Sequence, residues 1–352
     1  MIKIIYVTDV HDSIDELHQL IQLTEADLYL ISGDILYYAF YDIENVIRFT
    51  TLQEEFQFLL REQKRKIFPY DFASEILIQE SHQKKQEDLV QKSIEYRELF
   101  HLATKTMKEK YRKIEETIQK HSNADCFVLP GNYDIDFKYT ALASRNLHKK
   151  IMYFENITFG GYGGAPVPTS GIPEKLIVPY LEGGVGKSFY SEPQEFFEHH
   201  QPDVLVLHNP AFGYFDQIPS YGNVGSMGIR NYLDYHTPMM VLSGHIHEDY
   251  GIQVNKKGTL FLNPSNFGAV DSIYGPQEGG IFAEIYINKK RKKITKVRIK
   301  RLFQNTIYEY FDVFVEYEPY PKLEFQKLKD FDSFYLSFEK FFRNNQNPYS
   351  YY

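Results

Sequence analysis

Five short apolar runs, each breaking off abruptly into polar or glycine residues, constrain this chain more than any other feature. The runs are IKIIYV from Ile2, DLYLI from Asp27, CFVL from Cys126, VLVL from Val204 and MMVL from Met239. Each has strand length and is rich in β-branched or aromatic residues, so each reads as a β-strand. They are followed in turn by TDVHD, SGDI, PGNYD, HNP and SGHIH. Side chains able to bind a metal therefore stand at the carboxyl ends of five strands. In α/β sheets that edge is where ligands bind, because the loops leaving the strands gather there on a rigid scaffold.

The segments between the strands have other characters. Residues 42–122 are rich in Glu, Gln and Lys and read as a helical insertion. Tyr96, Leu99, Ala103, Met107, Tyr111, Ile114 and Ile118 recur at three- and four-residue steps, which draws an apolar stripe along one long amphipathic helix. Phe56, Leu59 and Leu60 belong to its antiparallel partner, and Pro69 marks a turn or break between the two halves of this hairpin or cap. The stretch from Phe159 to Ser191, rich in Gly and Pro, reads mostly as loops. GIFAEIYI and ITKVRIKRL flank NKKRKK and predict a β-hairpin. The expected division is a main domain over 1–302 that contains the insertion, then an aromatic-rich extension over 303–352. In the extension Phe331, Phe334, Tyr335, Phe338 and Phe342 fall on one face of a helix.

Charge and cysteine content exclude several functions. The net charge of -8 argues against a general electrostatic hold on nucleic acid or anionic lipid, so an anionic substrate needs a local positive centre. The single cysteine, Cys126, can form no internal disulfide and fits a reducing compartment. It also rules out a four-cysteine zinc site, so any metal must be bound through nitrogen and oxygen. The apolar start is far shorter than a secretory signal, and no stretch approaches the about 18 apolar residues of a membrane span, so a cytoplasmic protein is expected.

A binuclear hydrolytic site needs imidazole and anionic ligands, a carboxylate able to bridge, and open positions for water and phosphate oxygens. The strand ends offer Asp9, His11, Asp34, Asn132, His208, His245 and His247. This mixture of imidazole, carboxylate and amide suits Mn, Fe or Zn better than Ca or Mg. The ordered set DxH, GD, GNxD, H and GHxH resembles the calcineurin-like metallophosphoesterase superfamily over about residues 1 to 301. That resemblance implies a four-layer α-β-β-α sandwich of two mixed sheets, here with the helical insertion. It also implies one divalent ion on Asp9, His11, Asp34 and His247, and a second on Asp34, Asn132, His208 and His245, with Asp34 bridging. The residues it puts in the chemistry are Asp34, Asn132, Asp134 and His208, acting on a phosphodiester or phosphomonoester of a small molecule or nucleotide. The insertion, the GYGG segment at Gly161 to Gly164, GSMGIRNYLD before GHIH and FLNPSNFG after it resemble an uncharacterised prokaryotic subgroup.

One position departs from the superfamily pattern. Many relatives read GNH before the acidic residue, and that His is thought to protonate the leaving group; Tyr133 stands here. A phenol of pKa near 10 is a poor acid catalyst at neutral pH, so diesters, anhydrides or activated esters are favoured over alkyl monoesters.

Other features read more simply. GGVGKS at Gly183 to Ser188 has Leu181 where a phosphate loop needs glycine, and is a loop. GYGG lacks a dinucleotide fingerprint and points to close backbone packing. Lys296, Arg298 and Lys300 share a strand face that a nuclease could use, although a solvated hairpin is the simpler account. His18, His82, His101, His121, His148, His199, His200 and His236 have no ligand spacing and are assigned to surface or structure. The insertion's stripe also allows a homodimer, and a non-catalytic interaction scaffold on the same fold is the alternative to an enzyme.

Overall fold

Residues 1–80, 87–272 and 275–342 are described by a computed structural model. In chain order the principal strands are β1 (Ile2–Thr8), β2 (Leu28–Ser32), β3 (Asp125–Leu129), β4 (Lys150–Phe154), β5 (Ile157–Tyr162), β6 (Val204–Leu207) and β7 (Met240–Leu242). They continue with β8 (Gly251–Val254), β9 (Leu260–Asn263), β10 (Ile281–Asn288), β11 (Lys293–Phe303), β12 (Thr306–Glu316) and β13 (Lys322–Lys327). The first sheet has the order β13-β12-β11-β10-β1-β2-β3, and the second β8-β9-β7-β6-β5-β4. Strands β1, β2 and β3 run parallel, as do β5, β6, β7 and β9, while the remaining pairings are antiparallel, so both sheets are mixed.

Side-chain alternation along the strands builds the layers. Ile4, Tyr6, Leu28 and Leu30 of the first sheet pack with Val204, Val206, Met240 and Leu242 of the second, forming the core between the sheets. Ile5, Val7, Tyr29 and Ile31 point the other way, onto α1 (Ile14–Leu23) and the insertion. Leu205, Leu207 and Val241 point outward from the second sheet onto α5 (Glu192–His200) and α6 (Met227–Tyr235). The result is the four-layer sandwich expected from the motifs, and all five motif-bearing runs are strands.

The insertion holds three helices: α2 (Ile43–Glu62), α3 (Pro69–Glu80) and α4 (Glu87–His121). Asp42 caps α2 by accepting from the Asn45 N–H. The two-part hairpin is corrected in one respect: Pro69 does not merely break the chain but opens a further helix, because its missing N–H costs nothing in the first turn. The whole stripe from Tyr96 to Ile118 is buried, as its periodicity demands. A buried Glu174 fastens the following loop to the insertion by accepting from Tyr96 Oη, Gln53 Nε2 and the Tyr70 N–H.

Two further expectations are corrected. Residues 159–162, at the head of the stretch expected to be mostly loops, belong to β5 within the second sheet; Gly160 and Gly161 sit there because a Cβ on either would strike Pro202 or Leu147. The aromatic tail is not one helix. Its first part adds β12 and β13 to the first sheet, and a 3-10 turn at Phe331–Ser333 and the short α7 (Phe338–Phe341) follow. Phe331, Phe334, Phe338 and Phe342 nevertheless pack against Phe311 and Phe325, so the tail closes over the first sheet. His82 and residues 343–352 of the tail lie outside the described residues.

The basic face of β11 is neutralised within the sheet. Arg298 pairs with Asp312 at 2.6 Å, Lys296 with Asp312 at 3.2 Å, and Lys300 with Glu309 at 2.8 Å and Glu284 at 3.1 Å. Cations already paired with carboxylates have little left to offer a phosphate backbone. Of the described residues, no helix is long and apolar enough to cross a membrane.

Candidate metal centre

The ligand residues leave the strand ends through tight turns. Asp9, His11, Asp34 and His245 all have positive φ, at 54°, 45°, 39° and 70°. Such backbone is costly for residues other than glycine and persists only where the surrounding fold dictates it, which is typical of functional sites. The glycines beside them make room. A Cβ on Gly33 would lie 2.0 Å from His208 Nδ1, one on Gly131 2.1 Å from Asp34 Oδ1, and one on Gly244 2.2 Å from Asp9 Oδ2.

All seven sequence-derived ligand positions converge. Asp9, His11 and His247 form one trio and Asp34, His208 and His245 another, the donor atoms of each trio lying within 4.8 Å of one another. In the first, His11 Nε2 is 3.1 Å from His247 Nε2, and Asp9 Oδ1 is 3.8 Å from the former and 3.5 Å from the latter. In the second, His208 Nε2 is 3.3 Å from Asp34 Oδ2 and 2.7 Å from Asn132 Oδ1. Asn132 thus joins the second trio by its amide oxygen. Its Nδ2 donates to Thr169 Oγ1 at 2.7 Å, which fixes the amide orientation.

The surrounding hydrogen bonds hold the carboxylates in place. Asp9 accepts from Thr8 Oγ1 at 2.8 Å and from the His245 N–H at 3.1 Å. Asp34 Oδ1 accepts from the Tyr133 N–H at 2.8 Å. Asp134 does not face the trios. Fully buried, it accepts from the N–H groups of Gly131, Ile35 and Leu36 and from Tyr111 Oη, so one carboxylate clamps the β2 and β3 turns together. Asp134, expected in the chemistry, is thus engaged by four donors behind the ligand turns and belongs to neither trio.

The donor set fits divalent cations. Burial alone would raise the Asp9 carboxyl, but the imidazoles of His247, His208 and His11 bring it below the ordinary range; the Asp34 carboxyl is likewise lowered by His208 and His11 against the effect of burial. Burial holds His245 down to about 3 and His11 below the usual imidazole value. Burial opposes charge on His208 and His247 too, yet Asp34 and Asp9 respectively outweigh it and raise both. Nδ1 of His11 and of His208 is buried without a hydrogen-bond partner, while Nε2 of each faces its trio. Anionic oxygens and imidazole nitrogens gathered in one small space are the donor types that bind a divalent ion.

A pH dependence follows. A cation bound at either trio would compete with the proton whose hold on His208 and His247 is strengthened by Asp34 and Asp9, so binding would release protons and affinity would rise with pH. Titration calorimetry in buffers of different ionisation enthalpy is expected to show proton release growing as pH falls; pH-independent affinity would contradict this ligand assignment.

Thr8, Thr169, Lys110 and Tyr111 carry functional weight that motif reading missed. Thr8 stands within TDVHD and Tyr111 on the apolar stripe of α4, and Lys110 shows as a lysine three residues after Met107 on that helix; Thr169 leaves no such trace. Beside His11, a cleft of about 400 Å³ opens between Tyr37 and Tyr38 on one side and Val270, Pro276 and Gln277 on the other.

No family model and no curated protein matches the chain. Solved structures do. One is 16% identical with a TM-score of 0.50, covering 86% of this chain and 99% of its own. TT1561 of Thermus thermophilus is 11% identical with a TM-score of 0.41, covering 83% of this chain and 96% of its own. A conserved predicted phosphoesterase of Streptococcus pneumoniae is 8% identical with a TM-score of 0.32, covering 88% of this chain and 97% of its own. The first of these likenesses bears on the fold alone, and agrees with the sandwich of two mixed sheets that the resemblance of the motifs to the calcineurin-like metallophosphoesterase superfamily implies.

Proposed function

We propose that the chain is a metal-dependent hydrolase of phosphate esters, working with two divalent ions on a small phosphorylated molecule or nucleotide. The observation that carries this is the convergence of two largely buried nitrogen-and-oxygen trios where strand ends of the two sheets meet, with the Asp34 carboxyl lowered by imidazoles of both trios, His208 and His11. Asp9, His11 and His247 would hold one ion, and Asn132, His208 and His245 the other, with the Asp34 carboxylate shared. When bound, such a pair lowers the pKa of a water and neutralises charge on the entering and leaving oxygens of an in-line displacement.

The chain's own groups do the rest. The Tyr133 N–H and His208 hold the two oxygens of Asp34 in different directions. Thr169 keeps the Asn132 amide oxygen turned toward His208. The cleft beside His11, walled by Tyr37 and Tyr38, has room for the organic part of a small ester. Its lining holds no lysine or arginine among the described residues, and of its carboxylates Asp12 is paired with Lys110 and Glu278 with Arg301, so it offers a polyanion no cation to bind. Together with the paired cations of β11, this argues against a nuclease.

The test is elemental analysis of the purified protein, followed by a release assay on bis(p-nitrophenyl) phosphate with the metal found. Two ions per chain and metal-dependent turnover are expected. Two ions with no turnover on any phosphate ester would favour a binding scaffold, and a protein unable to bind metal would overturn the proposal.

A further inference from the structure

The insertion reaches the candidate metal centre through two consecutive residues of α4. Lys110, only 4% exposed, places its ammonium 2.7 Å from Asp12 Oδ1, 2.9 Å from the Tyr38 carbonyl and 3.4 Å from that of Phe40. Three donors thus meet three acceptors, which is what a buried ammonium requires. Asp12 follows His11 directly, and its other oxygen accepts from the N–H groups of Tyr37 and Tyr38 at 3.1 and 2.9 Å. Lys110 and Asp12 therefore pin the His11 turn to the loop that leaves β2.

Tyr111, fully buried, donates to Asp134 Oδ1 at 2.7 Å. The same carboxylate accepts from Ile35 and Leu36, which follow Asp34, and from Gly131, which precedes Asn132. One helix thus grips three ligand turns from behind, at adjacent residues, with groups that touch no ligand atom.

We infer that α4 positions the metal ligands: Lys110, through Asp12, sets the His11 half of the centre, and Tyr111, through Asp134, sets the Asp34 and Asn132 half. The inference rests on the two-metal reading above. It gives the insertion a role inside the centre, in addition to any part in shaping access. Partners lying behind first ligands commonly change metal affinity by about 10- to 100-fold when removed.

The test is calorimetric titration of the metal-free full-length protein with Mn²⁺, alongside melting curves. Wild type is expected to bind two ions, and His11→Ala identifies which step belongs to the His11 half. Lys110→Met is expected to weaken that step by about 10-fold or more and leave the other within about twofold. Tyr111→Phe reaches the shared Asp34 and is expected to weaken both steps, more strongly the one that His11→Ala spares. Ile114→Val, one turn along the same buried face and touching neither clamp, is the control for lost stability and is expected to bind as wild type does. Should Lys110→Met not fold, Asp12→Asn probes the same clamp from its other end, keeping an acceptor for the backbone N–H groups. Wild-type affinities in both clamp variants, or an equal loss in Ile114→Val, would overturn the inference while leaving the two-metal reading standing. A wild-type protein that binds no Mn²⁺ would instead remove that reading and the inference with it.

Discussion

Asp34→Asn is expected to lower kcat/KM by about 10³-fold or more, roughly 4 kcal/mol of transition-state stabilisation, while the protein stays folded. The substitution keeps shape and one oxygen, so the Tyr133 N–H retains its acceptor. It removes the negative charge that raises the His208 imidazole against the effect of burial, and with it the carboxylate proposed to be shared by both ions. An amide oxygen is a weaker ligand for a divalent ion and cannot bridge two as a carboxylate does. The metal-free variant should melt somewhat lower than wild type at neutral pH, because a carboxylate that His208 and His11 hold below its ordinary range contributes stability that the neutral amide does not replace. Circular dichroism and a turnover assay decide the matter: a folded Asp34→Asn protein with wild-type activity would remove the basis of the two-metal assignment.

Tyr133→His is expected to change which esters are hydrolysed. The Tyr133 ring stands 5.3 Å from Tyr37 and 6.4 Å from His11, beside the trio formed by Asp9, His11 and His247. Burial, then the Asp34 charge, push its hydroxyl up to about 12. A donor that weak gives little help to an alkoxide leaving group at neutral pH, whereas an aryl leaving group such as p-nitrophenolate needs none. An imidazole there, with an ordinary pKa near 6.5, supplies a matched acid. General acid catalysis is worth about 10²- to 10⁴-fold, so alkyl monoester turnover should rise by about 10²-fold while bis(p-nitrophenyl) phosphate changes by less than about threefold. The measured quantity is the ratio of the two kcat/KM values. An unchanged ratio in a folded, metal-replete variant would show that the leaving group takes its proton from elsewhere.

The positions that could be read from the sequence are those whose signal is local. The strands bearing TDVHD, SGDI, PGNYD, HNP and SGHIH each announce themselves by an apolar run and a turn, so the sheet edge and its seven candidate donors were visible residue by residue. The buried stripe of α4 was visible for the same reason, since a helix that packs on a core must repeat its apolar residues at that period. The segment 159–162 reads locally as the head of a loop-rich stretch because of Gly160 and Gly161; they are glycine because Pro202 and Leu147 come close, which for Gly161 agrees with the close backbone packing expected of GYGG. The tail was misread because aromatic residues spaced for a helix also serve a strand and a turn that meet on one sheet face. The clamps of Lys110 and Tyr111 join residues 98 and 23 positions apart, beyond the range over which periodicity speaks.

Each trio draws its donors from both halves of the sandwich. Asp9 and His11 come from the first sheet and His247 from the second, while Asp34 comes from the first and His208 and His245 from the second. A bound cation at either place would tie one sheet to the other across their common seam. The distance between the two ions would then be set by how the layers of Ile4, Tyr6, Val206 and Leu242 nest between them, and a repacking of that interior, far from any phosphate, would be felt at the centre as a change in its dimensions.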